Sequence, residues 1–486
     1  MFNFLKRKSS ATNGNGKRRL FVIGLDCADP ALVFDHVPGL EYGGWRKQLP
    51  NLDKLISNGV YGSMDSCVPA ITVPAWSVMT ASKDPGTLGI YGFRNRADWS
   101  YDNMSIATSA YVKEDRVWDL LGRAGKQVIV IGVPAMYPVK PVNGVSVGCF
   151  LTPNVHSSYT YPANIAGEIE SWVGEYMVDV PQFRTENKDF LLKQIYEMTD
   201  KRFQVAKHML KEKPWDFFMF VEMGVDRIHH GMWKFIDPGH PKHEPGNPYV
   251  NSILDYYKAV DGRVGELLSL LDDDTAVMVV SDHGAKRMVG GICMNEWLWR
   301  NGYLAFKDEP PAGRLTPFEK LEVDWSRTKA WGSGGYYGRV FLNVEGREPA
   351  GIIPQSQYEA VRDELVAQFA ALTDPQGRDI GTVSYKPETT YKTVRNYAPD
   401  LMVYFGNLYW RAVGSLGHGS YYTFENDTGP DDANHAQQGI FVFYDPRQSF
   451  GGKRVNGLEL MDFAPTVLDY FGMPAPADMQ GRLAKF

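Results

Sequence analysis

The chain has 486 residues, 44% of them hydrophobic and 22% charged, enough for a large buried core and, by length alone, for two or three domains. A net charge of −6 over this size leaves no electrostatic footprint for a nucleic-acid duplex, so an anionic substrate would need local positive charge such as bound metal ions supply. The four cysteines, Cys27, Cys67, Cys149 and Cys293, form no Cys-x-x-Cys pair and read as reduced core thiols, and no apolar run is long enough to cross a bilayer.

The first residues carry Lys6, Arg7, Lys8, Lys17, Arg18 and Arg19 among Ser, Asn and Gly, with no acid. No continuous apolar stretch follows them, so they are not a secretory signal. Residues 1–18 read as a disordered basic tail on a cytoplasmic enzyme, able to touch an anionic membrane surface weakly. Residues 19–486 then form the catalytic domain. Leu20 to Leu25 is a short apolar run ending at Asp26, which suits a strand buried on both faces. Pro50 opens a helix with Leu52, Leu55 and Ile56 on one face and Gly59 at its end. Further core strands are expected at Val128 to Val133, Phe217 to Val221, Ala276 to Val280, Leu401 to Phe405 and Gly439 to Tyr444, with helices over 188–211 and 250–271. Alternating strands and helices predict an α/β sandwich with a mainly parallel central sheet. The stretch 305–395 is richer in Gly, Pro and charge, with one helix near 355–371. It is expected as an inserted subdomain or an elaborated edge.

In open α/β sheets, ligands bind at the carboxyl ends of strands. Asp26 ends the first strand, Asp226 and His230 follow the strand near 217–221, and Asp282 and His283 directly follow Ala276 to Val280. Asp226 and His230 are four residues apart and share a face on a helical turn. Such a mixed Asp and His set suits zinc or a related divalent ion. Thr72 lies where a loop passes into a helix with Pro74 in its first turn, so its hydroxyl sits at the positive end of the helix dipole beside free N–H groups. By itself this position is equally that of an N-cap.

Taken in order, these segments resemble the alkaline phosphatase superfamily, and within it the type I phosphodiesterase and nucleotide pyrophosphatase branch together with bacterial and archaeal phosphohydrolases and phosphomutases. The resemblance runs through Gly24-Leu-Asp26, Leu49-Pro-Asn-Leu, Thr72-Val-Pro-Ala-Trp76, Asp226 to His230, Asp282-His283-Gly284, Asn343-Val-Glu-Gly-Arg-Glu-Pro349, Ala398-Pro-Asp-Leu401, His435-Ala-Gln-Gln-Gly-Ile-Phe441 and Asp462-Phe-Ala-Pro-Thr-Val-Leu468. It implies an alkaline-phosphatase-like three-layer α/β/α fold and two divalent cations, zinc or alternatively manganese. Asp26, Asp282 and His283 would hold one cation with the Thr72 oxygen; Asp226, His230 and His435 would hold the other, with His418 as the rival to His435. Thr72 would be the nucleophile, forming a phosphothreonine, and the Val73 amide would contact a phosphoryl oxygen. In the family a His-Gly-Ile segment leads to a phosphate-binding Asn. Here Leu88-Gly-Ile-Tyr-Gly-Phe93 puts Phe93 in that place, with Arg94 or Asn95 as substitutes.

The expected substrate is a small-molecule, lipid-linked or sugar-linked phosphodiester or pyrophosphate. Trp331, Tyr336 and Tyr337, set among glycines, are candidates to stack on its base or sugar. Phosphomonoesterase or phosphomutase activity remains an alternative, as does a metal-free binding protein on the same scaffold. A sulfatase is disfavoured, because neither Thr72-Val-Pro-Ala-Trp76 nor Cys67-Val-Pro-Ala-Ile71 carries the Arg of a Cys-x-Pro-x-Arg setting.

Overall fold

The computed structural model describes residues 18–486, and all of the basic tail except Arg18 lies outside the described residues. The apolar run at the start of the described chain forms the strand Arg19–Leu25, which lies within a ten-stranded sheet. From one edge the order is Lys453–Arg454, Val60–Asp65, Gln438–Tyr444, Thr275–Val280, Arg19–Leu25, Phe217–Glu222, Val128–Ile131, Gly144–Val147 and Thr160–Tyr161, with Leu458–Glu459 also pairing Val60–Asp65. Pairing is parallel except where Gln438–Tyr444 meets its two neighbours and at the Thr160–Tyr161 edge. Side chains alternate across a strand, so Phe21, Ile23 and Leu25 enter the core on one face while Leu20 and Val22 enter the core on the other. The helices Pro50–Asn58, Lys188–Glu212, Gly224–Ile236 and Ser252–Leu268 cover the first face. Thr72–Ala81, Val117–Arg123 and Phe463–Tyr470 cover the second. The result is the expected alkaline-phosphatase-like three-layer α/β/α sandwich.

One expected core strand belongs elsewhere. Leu401–Tyr404 pairs antiparallel with Gly338–Leu342 and Val383–Tyr385 in a separate four-stranded sheet completed by Ala330–Ser333. A short apolar run reports burial, not which sheet supplies the cover. The cover here is a third apolar cluster containing Trp297, Phe341, Leu365 and Phe369. The segment Asn343 to Pro349 braces this accessory sheet. Asn343 donates to the carbonyls of Trp325, Thr328 and Ala350, Arg347 grips Asp400 at 2.7 and 2.8 Å, and Glu348 accepts from Arg96 at 3.0 Å.

The central register positions the site. Leu25 stands opposite Glu222 and Gly24 opposite Val280, so three parallel strands end level with one another. The residues that follow them, Asp26, the helix bearing Asp226, and Asp282-His283, emerge on one edge. No local pattern announces how His435 joins them. The strands Gly284–Arg287 and Ala433–Ala436 pair antiparallel with Ala285 opposite His435, which brings a residue distant in sequence beside His283.

Candidate active site

Thr72 is the first residue of the helix Thr72–Ala81; Ile71 holds the cap position without a side-chain cap, so Thr72 is not an N-cap. Its Oγ1 lies 3.3 Å from Nε2 of His283. The whole of this helix is buried, an arrangement open only to a segment with almost no charge. Trp76, one turn on, donates its indole N–H to Oδ2 of Asp26 at 2.7 Å. Gly24 permits that approach: a Cβ there would stand 2.7 Å from Cη2 of Trp76 and 2.8 Å from Cγ2 of Val221. The chain then turns sharply at Cys27, whose φ of 67° is left-handed, and its N–H reaches Oδ1 of Asp282 at 3.1 Å.

Asp226 and His230 share one face of Gly224–Ile236, with Oδ1 and Nε2 3.2 Å apart. Nε2 of His435 lies 3.9 Å from the same oxygen. Asp226, His230 and His435 each offer one ligand atom within 4.8 Å of the others, and so do Asp26, Asp226 and His283. Asp226 is common to both triplets. Asp282 sits beside the second, its Oδ2 3.2 Å from Nε2 of His283.

Each imidazole is oriented through Nδ1. His230 uses Asp431 at 2.7 Å, His283 the carbonyl of Gly284 at 3.1 Å and His435 the carbonyl of Ala70 at 2.8 Å. That arrangement turns every Nε2 toward the carboxylates, as in metal-ligating histidines. Buried and without a hydrogen-bond partner are Oδ1 of Asp26, Oδ1 of Asp226, Oδ2 of Asp282, and Nε2 of both His230 and His435. Unpartnered buried polar atoms are uncommon, and here they converge.

The electrostatics follow from burial and crowding. Burial, reinforced by the charge of Asp226, pushes Asp26 well above the ordinary carboxylate range, and burial with Asp26 beside it does the same to Asp282. Burial would also raise Asp226, but His230, then Arg227 and His435, hold it well below that range. For His230, burial is outweighed by Asp431, Tyr336 and Asp226, and its pKa rises. Burial pulls His283 down to about 4, and burial together with His283 and His230 pulls His435 well below its usual value. Asp26 and Asp282 are thus short of the positive charge that a divalent cation would supply, while His283 and His435 stay neutral, as imidazole ligands must.

Other sequence candidates are placed differently. His229 is buried like its neighbour, but it packs against Trp233 and meets the Tyr257 hydroxyl at 3.2 Å. His418 is held by Ser415 at 2.9 Å and stands outside both triplets. Asn95 is engaged in its own turn: Oδ1 accepts the Tyr91 N–H at 2.8 Å and Nδ2 donates to the Gly92 carbonyl at 3.0 Å, so both ends of the amide are tied to the loop that carries it. Phe93 packs edge-on against Phe150. Val73 lies in the first helical turn, where amides lack carbonyl partners. Trp331 and Tyr337 are buried in apolar clusters. Tyr336 instead stacks on His435 and His230, with centroids 4.3 and 4.8 Å away. Sequence patterning singles out neither Asp431 nor Trp76; the signals available were an acidic pair just before His435 and an aromatic one turn after Thr72.

The sequence model of the type I phosphodiesterase / nucleotide pyrophosphatase family matches residues 20–431. The chain belongs to that family. This phosphodiesterase-family chain is accordingly a metal-dependent phosphoric ester hydrolase, and His435 lies just beyond the matched stretch. No curated protein matches its sequence. Among solved structures, it is similar to murine ectonucleotide pyrophosphatase/phosphodiesterase 5, an inactive form in complex with AMP, at 13% identity over 95% of this chain and 96% of that one (TM-score 0.52). It is also similar to phosphonoacetate hydrolase from Sinorhizobium meliloti 1021 in complex with phosphonoformate, at 15% identity over 92% and 94% (TM-score 0.56). Human ectonucleotide pyrophosphatase/phosphodiesterase 5 matches at 13% over 96% and 97% (TM-score 0.51). At such identities the likeness concerns the fold alone. Among the described residues, no helix is long and apolar enough to cross a membrane.

Proposed function

We propose that this enzyme cleaves phosphodiester or pyrophosphate bonds in two displacements, through a phosphothreonine formed on Thr72. The supporting observation is the set of buried, unpartnered ligand atoms on Asp26, Asp226, Asp282, His230 and His435. Leaving such groups bare costs about 1–3 kcal/mol each, more when charged, and two divalent cations would satisfy all of them together. Asp26, Asp282 and His283 would hold one with the Thr72 oxygen; Asp226, His230 and His435 would hold the other. The donor set suits zinc, with manganese as the alternative. When bound, such ions lower the pKa of a coordinated hydroxyl and neutralise charge on the departing oxygen.

The chain's own residues supply the rest. Thr72 Oγ1 attacks phosphorus in line as the opposite P–O bond breaks; the hydroxyl proton passes to solvent, and the leaving oxygen departs as a phosphate anion or, for an alcohol, takes a proton from water. The helix start around Thr72 and the Val73 amide favour negative charge on the phosphoryl oxygens. Trp76 and the Nδ1 partners hold Asp26 and the three imidazoles in place throughout. Water then opens the phosphothreonine and regenerates the hydroxyl.

The test is a parallel assay of an aryl phosphodiester, an aryl phosphomonoester and an aryl sulfate, on chelator-stripped protein and after zinc or manganese is restored. Diester hydrolysis that returns with metal is the expected result. Preference for the monoester would overturn the substrate class, and protein that binds neither metal would favour the binding-protein reading. Because the murine neighbour holds AMP, nucleotide-derived diesters and pyrophosphates are the natural second panel.

A further inference from the structure

Behind Asp431 lies a second polar pocket of about 140 Å³, lined by Arg411, Asn426, Asp431, Asp432, Lys234 and Phe424 among others. Arg411 is only 3% exposed, yet its Nε and Nη1 have no hydrogen-bond partner. Its Nη2 reaches the Thr428 hydroxyl at 3.4 Å, and its nearest carboxylates, Asp427 and Asp431, are 3.9 Å away. Nδ2 of Asn426 and Oδ2 of Asp432 are likewise buried and unpartnered. The other acids of the wall are already engaged. Asp431 serves His230, Tyr336 and Arg184; Glu425 pairs with Lys242 at 2.8 Å and Glu186 with Lys234 at 3.3 Å.

The unmet groups define their complement: at least three acceptor oxygens for Arg411 and Asn426, and one hydroxyl to donate to Asp432. A phosphate group that retains one proton carries both the acceptors and the donor this wall lacks, and guanidinium is the side chain suited to it. Sulfate offers acceptors but no donor. The pocket also adjoins the catalytic cluster, since Asp431 is shared and the Arg411 guanidinium lies 5.8 Å over the Tyr336 ring that stacks on His230 and His435.

We propose that this pocket binds a second phosphate through Arg411, Asn426 and Asp432. The phosphate comes either from the substrate itself, as a group additional to the one Thr72 attacks, or from free phosphate in solution. The first source rests on the Thr72 reading; the binding itself does not.

Equilibrium dialysis of the metal-loaded enzyme against radiolabelled inorganic phosphate is the direct test. Two phosphates per wild-type chain, with one lost in Arg411→Gln and in Asn426→Ala and that one resistant to competing sulfate, is the expected result. The loop substitution Asn426→Ala, at a half-buried position outside any helix or strand, keeps the test valid if Arg411→Gln does not fold. An unaltered phosphate count in the variants, or displacement of the second phosphate by sulfate, overturns the proposal.

Kinetics then names the source. Thymidine 5′-(4-nitrophenyl phosphate) and its 3′-phosphorylated counterpart differ by one phosphate. A more than tenfold fall in the ratio of their kcat/KM values in Arg411→Gln identifies the substrate's own phosphate. Non-competitive modulation of the simpler diester by inorganic phosphate, abolished in the variant, identifies free phosphate. If neither diester is hydrolysed, the proposed function falls while the dialysis result still decides the pocket.

Discussion

Nδ1 of His230 and Oδ1 of Asp431 lie 2.7 Å apart, both groups buried. The carboxylate fixes the ring's tautomer and aims Nε2 at Asp226, 3.2 Å away. Partners of this kind orient a ligand without touching the ion, and their loss lowers metal affinity or activity by about 10–100-fold. Asp431→Ala is expected to weaken divalent-metal binding within that range, and Asp431→Asn, whose amide oxygen still accepts from Nδ1, by less. Competition against a chromogenic chelator measures it. Wild-type affinity in the alanine variant would remove Asp431 from this role.

Thr72→Ala separates chemistry from metal binding. The variant keeps every carboxylate and imidazole of the cluster, so its metal content stays near wild type. Turnover of an aryl diester falls on the order of 10³-fold or more, as when a covalent nucleophile is deleted. Thr72→Ser retains a hydroxyl at the same helix start and is expected to recover part of the rate. Undiminished turnover by the alanine variant would mean that the nucleophile is another group.

The carboxyl-end residues were legible in the sequence because parallel strands buried on both faces read as unbroken apolar runs, and whatever polar residue stops such a run lies at the sheet edge. Asp26 and Asp282 are cases of this. Spacing alone likewise put Asp226 and His230 on one helix face. His435 was not legible locally: its position depends on pairing with Gly284–Arg287, a contact between segments far apart in sequence, and only the family resemblance pointed to it. The aromatics of the Gly-rich segment misled for a related reason. A loop pattern gives composition and not direction, and Tyr336 turns onto the imidazoles while Trp331 and Tyr337 turn inward. Leu401 to Phe405 shows the same limit for sheets, since its hydrophobicity is satisfied by the accessory layer.

Gly24→Ala tests how tightly the first strand and the Thr72 helix are fitted. The added methyl would meet Trp76 and Val221 at under 3 Å, and both are fully buried, so neither can swing into solvent. Overpacking of this kind costs about 1–3 kcal/mol. Any shift of Trp76 also moves the donor held by Asp26. Urea denaturation should show the loss, accompanied by weaker metal retention. A variant as stable as wild type would show that the interface has slack the packing does not suggest.

Asp29 carries a pH dependence of opposite sign to that of a salt-bridged carboxylate. Burial raises it to about 6, against the lowering effect of the Ala31 and Ala285 amides it accepts from. An unfolded chain releases this proton near pH 4, so between about 4 and 6 the folded state binds more protons than the unfolded one. Stability from this group is therefore full below the unfolded value and is lost as pH rises through the folded one. Two units correspond to on the order of 3 kcal/mol. Other carboxylates titrate in the same window, so the informative quantity is the difference between wild type and Asp29→Asn, both stripped of metal. Across urea unfolding from pH 4 to pH 7, wild type should lose on the order of 3 kcal/mol relative to the variant, which has no proton to release there. A difference that stays flat with pH would mean that Asp29 is already ionised in the folded protein at pH 4, with its two amide donors outweighing its burial.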